Sequence, residues 1–173
     1  SLLKSGTQTN FRGHGERILS QDFLSPVMAY MLFPDSVQRF LPLRFNYFDR
    51  ARALEYAWED GWRREMGNTN FGKNFDWLWE NSEYLVPALF LNGTSVEQGN
   101  RMILSNIRID DDGFLDSVDV RSNLAYAVRL STAVDMSARF TYVSPAGLLT
   151  NGQHVVDGGY FYNSRAGTAS GIL

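Results

Sequence analysis

Cysteine is absent from the 173 residues, so no disulfide holds this fold and neither a thiolate metal site nor a cysteine nucleophile is available. Histidine is scarce. His14 and His154 lack the spacing of a ligand pair, so the sequence offers no metal centre. There is no basic block or stripe at a net charge of −3, which leaves nucleic-acid binding unsupported. Long apolar runs are missing too. Residues 27–33 and 84–91, the second broken by Pro87, are too short to cross a bilayer, and no signal-peptide pattern opens the chain. Neither G-x-G-x-x-G nor a Walker A loop occurs, so no nucleotide, and no cofactor of any kind, is expected. Nor is there a G-x-S-x-G elbow; Gly93-Thr94-Ser95-Val96-Glu97 fails at its last position.

What remains is ordinary for a folded chain: 44% hydrophobic and 20% charged residues, with no internal repeat and no linker, read as one α/β domain over 1–173. Gly6 to Gly15 reads as a loop. Ser25-Pro26 is a cap and first-turn pair for a helix to Leu32 that is apolar around most of its circumference, so burial on several sides is expected. A short helix is expected over 37–41. A longer one from Arg50 to Met66 is capped by Asp49 and closed by Gly67, with Ala53, Tyr56 and Ala57 inward and Arg52, Glu55, Glu59, Arg63 and Arg64 in water. The aromatics Phe71, Phe75, Trp77 and Trp79 suit either a lipid-facing rim or semi-buried packing, the second being the default.

Beyond Tyr84 the pattern becomes that of strands. Residues 85–91 and 101–106 form two of them, joined through the turn Gln98-Gly99-Asn100. Asp110-Asp111-Asp112-Gly113 lacks the spaced ligands of a calcium loop and reads as a turn. Asn92-Gly93-Thr94 fits a glycosylation sequon, with no secretory signal beside it. Ser122 is placed to cap a helix over 123–138 rich in alanine and serine, and Phe140 to Ser144 is extended.

The chain then reaches His154-Val155-Val156-Asp157-Gly158-Gly159, a strand that ends in an acid and runs into two glycines. Glycine permits a sharp turn, which would leave the Asp157 carboxylate at the strand end, where α/β proteins tend to place chemistry. Alternatively Asp157 only hydrogen-bonds its own turn. His154 and Asp157 do not suit a triad, because residues at odd spacing on a strand face opposite ways.

Three stretches resemble the C-terminal part of the patatin-like phospholipase family. They are Leu89 to Gly99 with Ser105-Asn106; Leu130 to Ala133 continuing through Ser137 to Gly147; and Val156-Asp157-Gly158-Gly159 with Asn163 six residues after the acid. Asp22 to Pro26 and Phe33 to Asp35 are similar to bacterial members. The resemblance implies a three-layer α/β/α domain with a central, mostly parallel sheet, and a Ser-Asp dyad without histidine that hydrolyses acyl esters of phospholipids or other lipids. It casts Asp157 as the dyad acid, Gly158 and Gly159 as its turn, and Asn163 as either a brace for that turn or a plain loop cap. The family's serine elbow and oxyanion loop lie upstream of the matching residues. Ser1-Leu2-Leu3, with no initiator Met, reads as a chain entered midway, so the expectation is the C-terminal portion of a catalytic domain, inactive by itself. The expected location is the cytoplasm, with peripheral contact at a membrane. Arg165 and Thr141 stand where many relatives have glycine and proline, and with the exposed-looking aromatics at 71–79 they are the support for the alternative of a non-catalytic lipid-binding or scaffold domain.

Overall fold

The computed structural model describes residues 11–32, 50–80, 86–109, 117–124, 127–140 and 144–160. The chain divides into two compact units, Ser1–Lys73 with Arg129–Ser131, and Asn74–Val128 with Thr132–Leu173. The expected helix over 37–41, the Asp49 cap, the acidic run at 110–113, Thr141, Asn163 and Arg165 lie outside the described residues.

The first unit is helical. Helix α1 spans Phe11–Leu19, where a loop is expected as far as Gly15. Two glycines cost it helix propensity. Partners far along the chain offset this: Glu65 accepts a bond from Arg17 Nε at 2.6 Å and meets His14 Nδ1 at 2.7 Å. Helix α2, Leu24–Leu32, starts before the expected Ser25-Pro26 pair, because Asp22 is its cap. The Asp22 carboxylate accepts the Leu24 and Ser25 amides at 3.1 and 2.9 Å, and the bonds from Ser25 hold its carboxyl below the usual carboxylate range. Burial on several sides is not observed. Among the described residues of α2 only Val27 is buried, while Leu24, Met28, Met31 and Leu32 are exposed.

Helix α3 runs Arg50–Met66 as expected and ends at Gly67, whose φ of +67° is the left-handed cap that glycine adopts without a Cβ penalty. Its inner face differs from expectation. Ala51, Ala53, Leu54 and Glu55 are buried, whereas Tyr56 is exposed. Glu55, only 1% exposed, is no wet charge; it binds Arg52 Nη1 at 2.8 Å and Arg129 Nη2 at 2.9 Å. Arg129 also reaches Glu59 at 3.0 Å and lies 5.6 Å from the centre of the Tyr56 ring. A buried carboxylate is tolerable only with such pairing. Trp62 and Phe71 stack at 5.6 Å.

Among the described residues the second unit is built on a sheet of five strands: β1 (Phe90–Ser95), β2 (Arg101–Ser105), β3 (Ser117–Asp119), β4 (Gly147–Leu148) and β5 (His154–Asp157). Their order is β3-β2-β1-β5-β4. Only β2 and β3 are parallel; β1 with β2, β1 with β5 and β4 with β5 are antiparallel. The chain is therefore mixed α/β, with a mostly antiparallel sheet among the described residues where a mostly parallel one is expected. Connection length is the physical cause for two of the three antiparallel pairs, β1 with β2 and β4 with β5. The turns after β1 and β4 are too short for a crossover, and Gly99 (φ +66°) and Gly152 (φ +85°) let them reverse.

Strand β1 begins at Phe90, five residues beyond its expected start, and carries Asn92-Gly93-Thr94 inside the sheet. Met102 and Ile103 on β2 are almost wholly buried, and such side chains each contribute about 1.5–3 kcal/mol relative to exposure. The expected helix over 123–138 is shorter. Helix α4 is a single turn at Trp77–Glu80, and helix α5 spans only Leu130–Ser137. Ser122 instead sits in a 3-10 turn, its hydroxyl donating to the Asp119 carbonyl at 2.8 Å. Phe75 is buried and packs 4.9 Å from Trp79, while Trp77 and Trp79 are half-buried. No described helix is long and apolar enough to cross a membrane.

Candidate functional site

Asp157 is the last residue of β5, paired across the sheet with Gly93 of β1. The pairing needs a glycine there: a Cβ on Gly93 would stand 2.6 Å from Val155 Cγ1 and 3.3 Å from the Val156 carbonyl. The Asp157 main chain is fixed on both sides. Its carbonyl accepts the Thr94 hydroxyl at 3.0 Å, and its N–H donates to the Arg139 carbonyl at 3.0 Å. Thr94 is buried and Asp157 half-buried.

The carboxylate has one oxygen engaged. Asp157 Oδ1 accepts the Gly159 amide at 2.5 Å, and Gly159 and Tyr160 take up helical backbone. Among the described residues Oδ2 has no hydrogen-bond partner. The arrangement is an Asx turn, in which a short acid ties the amide two residues on and so orients its own carboxyl group.

Gly158 is required by space rather than by dihedral angle. It is not among the positive-φ glycines, but a Cβ there would lie 2.9 Å from both the Cβ and the carbonyl oxygen of Asn92. Backbone cannot retreat as a side chain can, so Gly158→Ala should cost about 1–3 kcal/mol in chemical denaturation. A change below about 0.5 kcal/mol would show that the turn lifts off β1 freely. Asn92 is itself pinned. Its Oδ1 accepts Nε and Nη2 of Arg101 at 3.1 and 2.8 Å, and its carbonyl accepts the Ser137 hydroxyl at 2.7 Å.

The structure thus brings Asp157, Gly158 and Gly159 together on a floor made by Asn92, Gly93 and Thr94, with Ser137 and Arg139 behind. These last five residues were not singled out as site residues by the sequence, although all five fall in the stretches that carry the family resemblance. The local signal for them is an Asn-Gly-Thr run inside an otherwise apolar strand, where a glycine marks close backbone approach. Among the described residues no group of three acidic or histidine side chains could hold a metal ion.

His154, at the start of β5, turns away from Asp157 in its bonding. Its Nδ1 meets Glu97 Oε1 at 2.7 Å, and its N–H donates to both oxygens of the same carboxylate at 3.1 and 3.0 Å. The side-chain bond first, and the backbone bond next, push the Glu97 carboxyl from its ordinary 4.5 down to about 2. A folded value below the unfolded one stabilises the fold above the unfolded value, and that stabilisation is lost as the pH falls through the folded one. Native protein should therefore lose stability more steeply than Glu97→Gln between pH 4.5 and about 2. Denaturation profiles that run parallel through that window would contradict the assignment.

Among the described residues, two clefts of about 470 and 380 Å³ lie in the first unit. Their acids are committed to neighbours: Asp60 binds Arg63 and Arg64, and Glu59 binds Arg129 and Ser131. The Ser131 hydroxyl does donate to the Glu59 carboxylate, at 2.5 Å, but Ser131 is wholly buried and lines neither cleft.

No family model, curated protein or solved structure matches the chain.

Proposed function

We propose that this chain supplies the acid half of a Ser-Asp dyad in a lipid acyl hydrolase resembling the patatin-like phospholipases. The observation that carries the reading is the Asp157 carboxylate at a strand end, oriented through Oδ1 by the Gly159 amide while Oδ2 has no partner among the described residues. A half-buried carboxylate held this way can accept a serine proton as the hydroxyl attacks an ester carbonyl, provided the two come within hydrogen-bond reach. Hydrogen bonding to Oδ1 does not prevent this, because a carboxylate has a second oxygen to receive the proton. Oriented N–H groups would stabilise the resulting oxyanion.

In this reading the nucleophile and the oxyanion loop come from outside these 173 residues, and the described strands form a mostly antiparallel part of the central sheet of a three-layer patatin-like domain. The substrates are acyl esters of phospholipids or other lipids, met by peripheral contact with a membrane from the cytoplasm. A fluorophosphonate probe should label one serine in the complete polypeptide and block ester hydrolysis. A folded, complete polypeptide that neither labels nor hydrolyses esters would exclude the dyad.

A second reading is favoured by the same 2.5 Å bond: Asp157 is a turn residue of a non-catalytic lipid-binding or scaffold domain. Under it, Asp157→Asn keeps every function of the protein, because an asparagine side-chain oxygen accepts the Gly159 amide equally well.

A further inference from the structure

Asp135 and Arg139, one helical turn apart, form an ion pair that the proposed chemistry leaves unused. Asp135 on α5 is 0% exposed and the Arg139 side chain 9%, with Nη2 2.9 Å from Asp135 Oδ2. Taking both charges out of water carries a penalty that an apolar pair of similar volume would avoid, so such a pair is a weak source of stability. Arg139 is held at three points: through Nη2 to Asp135, through Nη1 to the Pro145 carbonyl at 2.9 Å, and at its own carbonyl, which accepts the Asp157 N–H at 3.0 Å. Gly147 closes over the guanidinium, since a Cβ there would stand 3.3 Å from Arg139 Nε. The sheet explains why this matters. Strand β4 pairs with β5 only as far as Gly147 with Val155, and two residues further on the Arg139 carbonyl takes the Asp157 N–H that no strand reaches.

We propose that the Asp135–Arg139 pair is the positioning device for Asp157: it locks residue 139 so that its carbonyl sets the strand end, and with it the carboxylate. This deepens the reading of Asp157 as a proton acceptor and rests on it for its purpose. Proton transfer between side chains is lost when the acceptor is displaced by about an ångström, so a rigid main-chain anchor beside the acid has a direct chemical use. Arg139 touches no reacting atom in this scheme; it is a positioning residue.

The test is a double replacement, Asp135→Leu with Arg139→Met, which keeps the volume and removes both charges together. Its readouts are the melting transition, the Asp157 13Cγ resonance and hydrogen exchange at the Gly159 amide. The expected result is a cooperative melt, a moved Asp157 resonance and Gly159 protection reduced by about tenfold or more. A folded double variant with an unmoved resonance and Gly159 protection within about twofold of native overturns the proposal. Should the double variant fail to fold, Arg139→Lys serves. It keeps the charge but not the planar fork that spans Asp135 and Pro145, and the same two signals should move in the same direction. Unmoved signals there overturn the proposal as well. These signals report where the carboxylate sits and not turnover. A displaced carboxylate with full ester hydrolysis in the complete polypeptide would therefore sustain the positioning role and defeat the general-base reading.

Discussion

Replacing Asp135 with alanine should destabilise the second unit by about 3–5 kcal/mol, because it removes the carboxylate 2.9 Å from the buried Arg139 guanidinium. The size of the effect follows from burial rather than from the strength of the bond. An exposed ion pair such as Arg12 with Glu16 contributes about 0–1 kcal/mol, since water solvates either partner when the other is removed. At Asp135 water is excluded, and the Pro145 carbonyl gives Arg139 a hydrogen bond but no charge. Against a total stability of about 5–15 kcal/mol for a typical domain, the loss is large enough to leave a substantial unfolded fraction at 37 °C. Removing both charges in the Leu/Met pair should cost far less than removing one. Chemical denaturation of the single and double variants checks this, and a single replacement costing under about 1 kcal/mol would mean that the site admits water.

Features set by neighbouring residues were legible in the sequence. The helix from Arg50 to Met66 announces itself through its length and its closing glycine. The turn at Gly99 and the strand ending in Asp157 are equally local, and all three are found. Features set by distant residues were not. Gly13 and Gly15 make α1 look like a loop, and its partner Glu65 stands some fifty residues away. Glu55 has the spacing of a solvated charge, and its pairing with Arg129, 74 positions on, is a contact that local spacing does not reveal. The apolar circumference of α2 suggested burial that the described residues do not supply.

The site was legible in the same uneven way. The Asp-Gly-Gly run marks the turn, but it does not say that Gly158 is required by the Asn92 backbone or that Thr94 and Arg139 hold the acid from either side. The mostly antiparallel order of the sheet depends on which strands pair. The short turns hint at this, while the parallel pairing of β3 with β2 leaves no local trace.

The reading of Asp157 as a general base carries the other large expected effect. In the complete polypeptide, Asp157→Asn should lower kcat for ester hydrolysis by about 10²–10⁴-fold, the usual contribution of a positioned proton acceptor. That loss corresponds to about 3–5 kcal/mol of transition-state stabilisation. Asparagine is the right replacement because its side-chain oxygen can still accept the Gly159 amide, so the turn survives while the basic oxygen is lost. KM should change little, since the acid acts on the serine proton and not on the bound lipid. Hydrolysis of a short-chain acyl ester by this variant, with its melting temperature recorded alongside, is the measurement that bears most directly on the proposed function. A loss of about 100-fold or more at an unchanged melting temperature is the predicted result. Hydrolysis within a few-fold of native by an equally stable variant would contradict it and leave Asp157 as a residue of its turn.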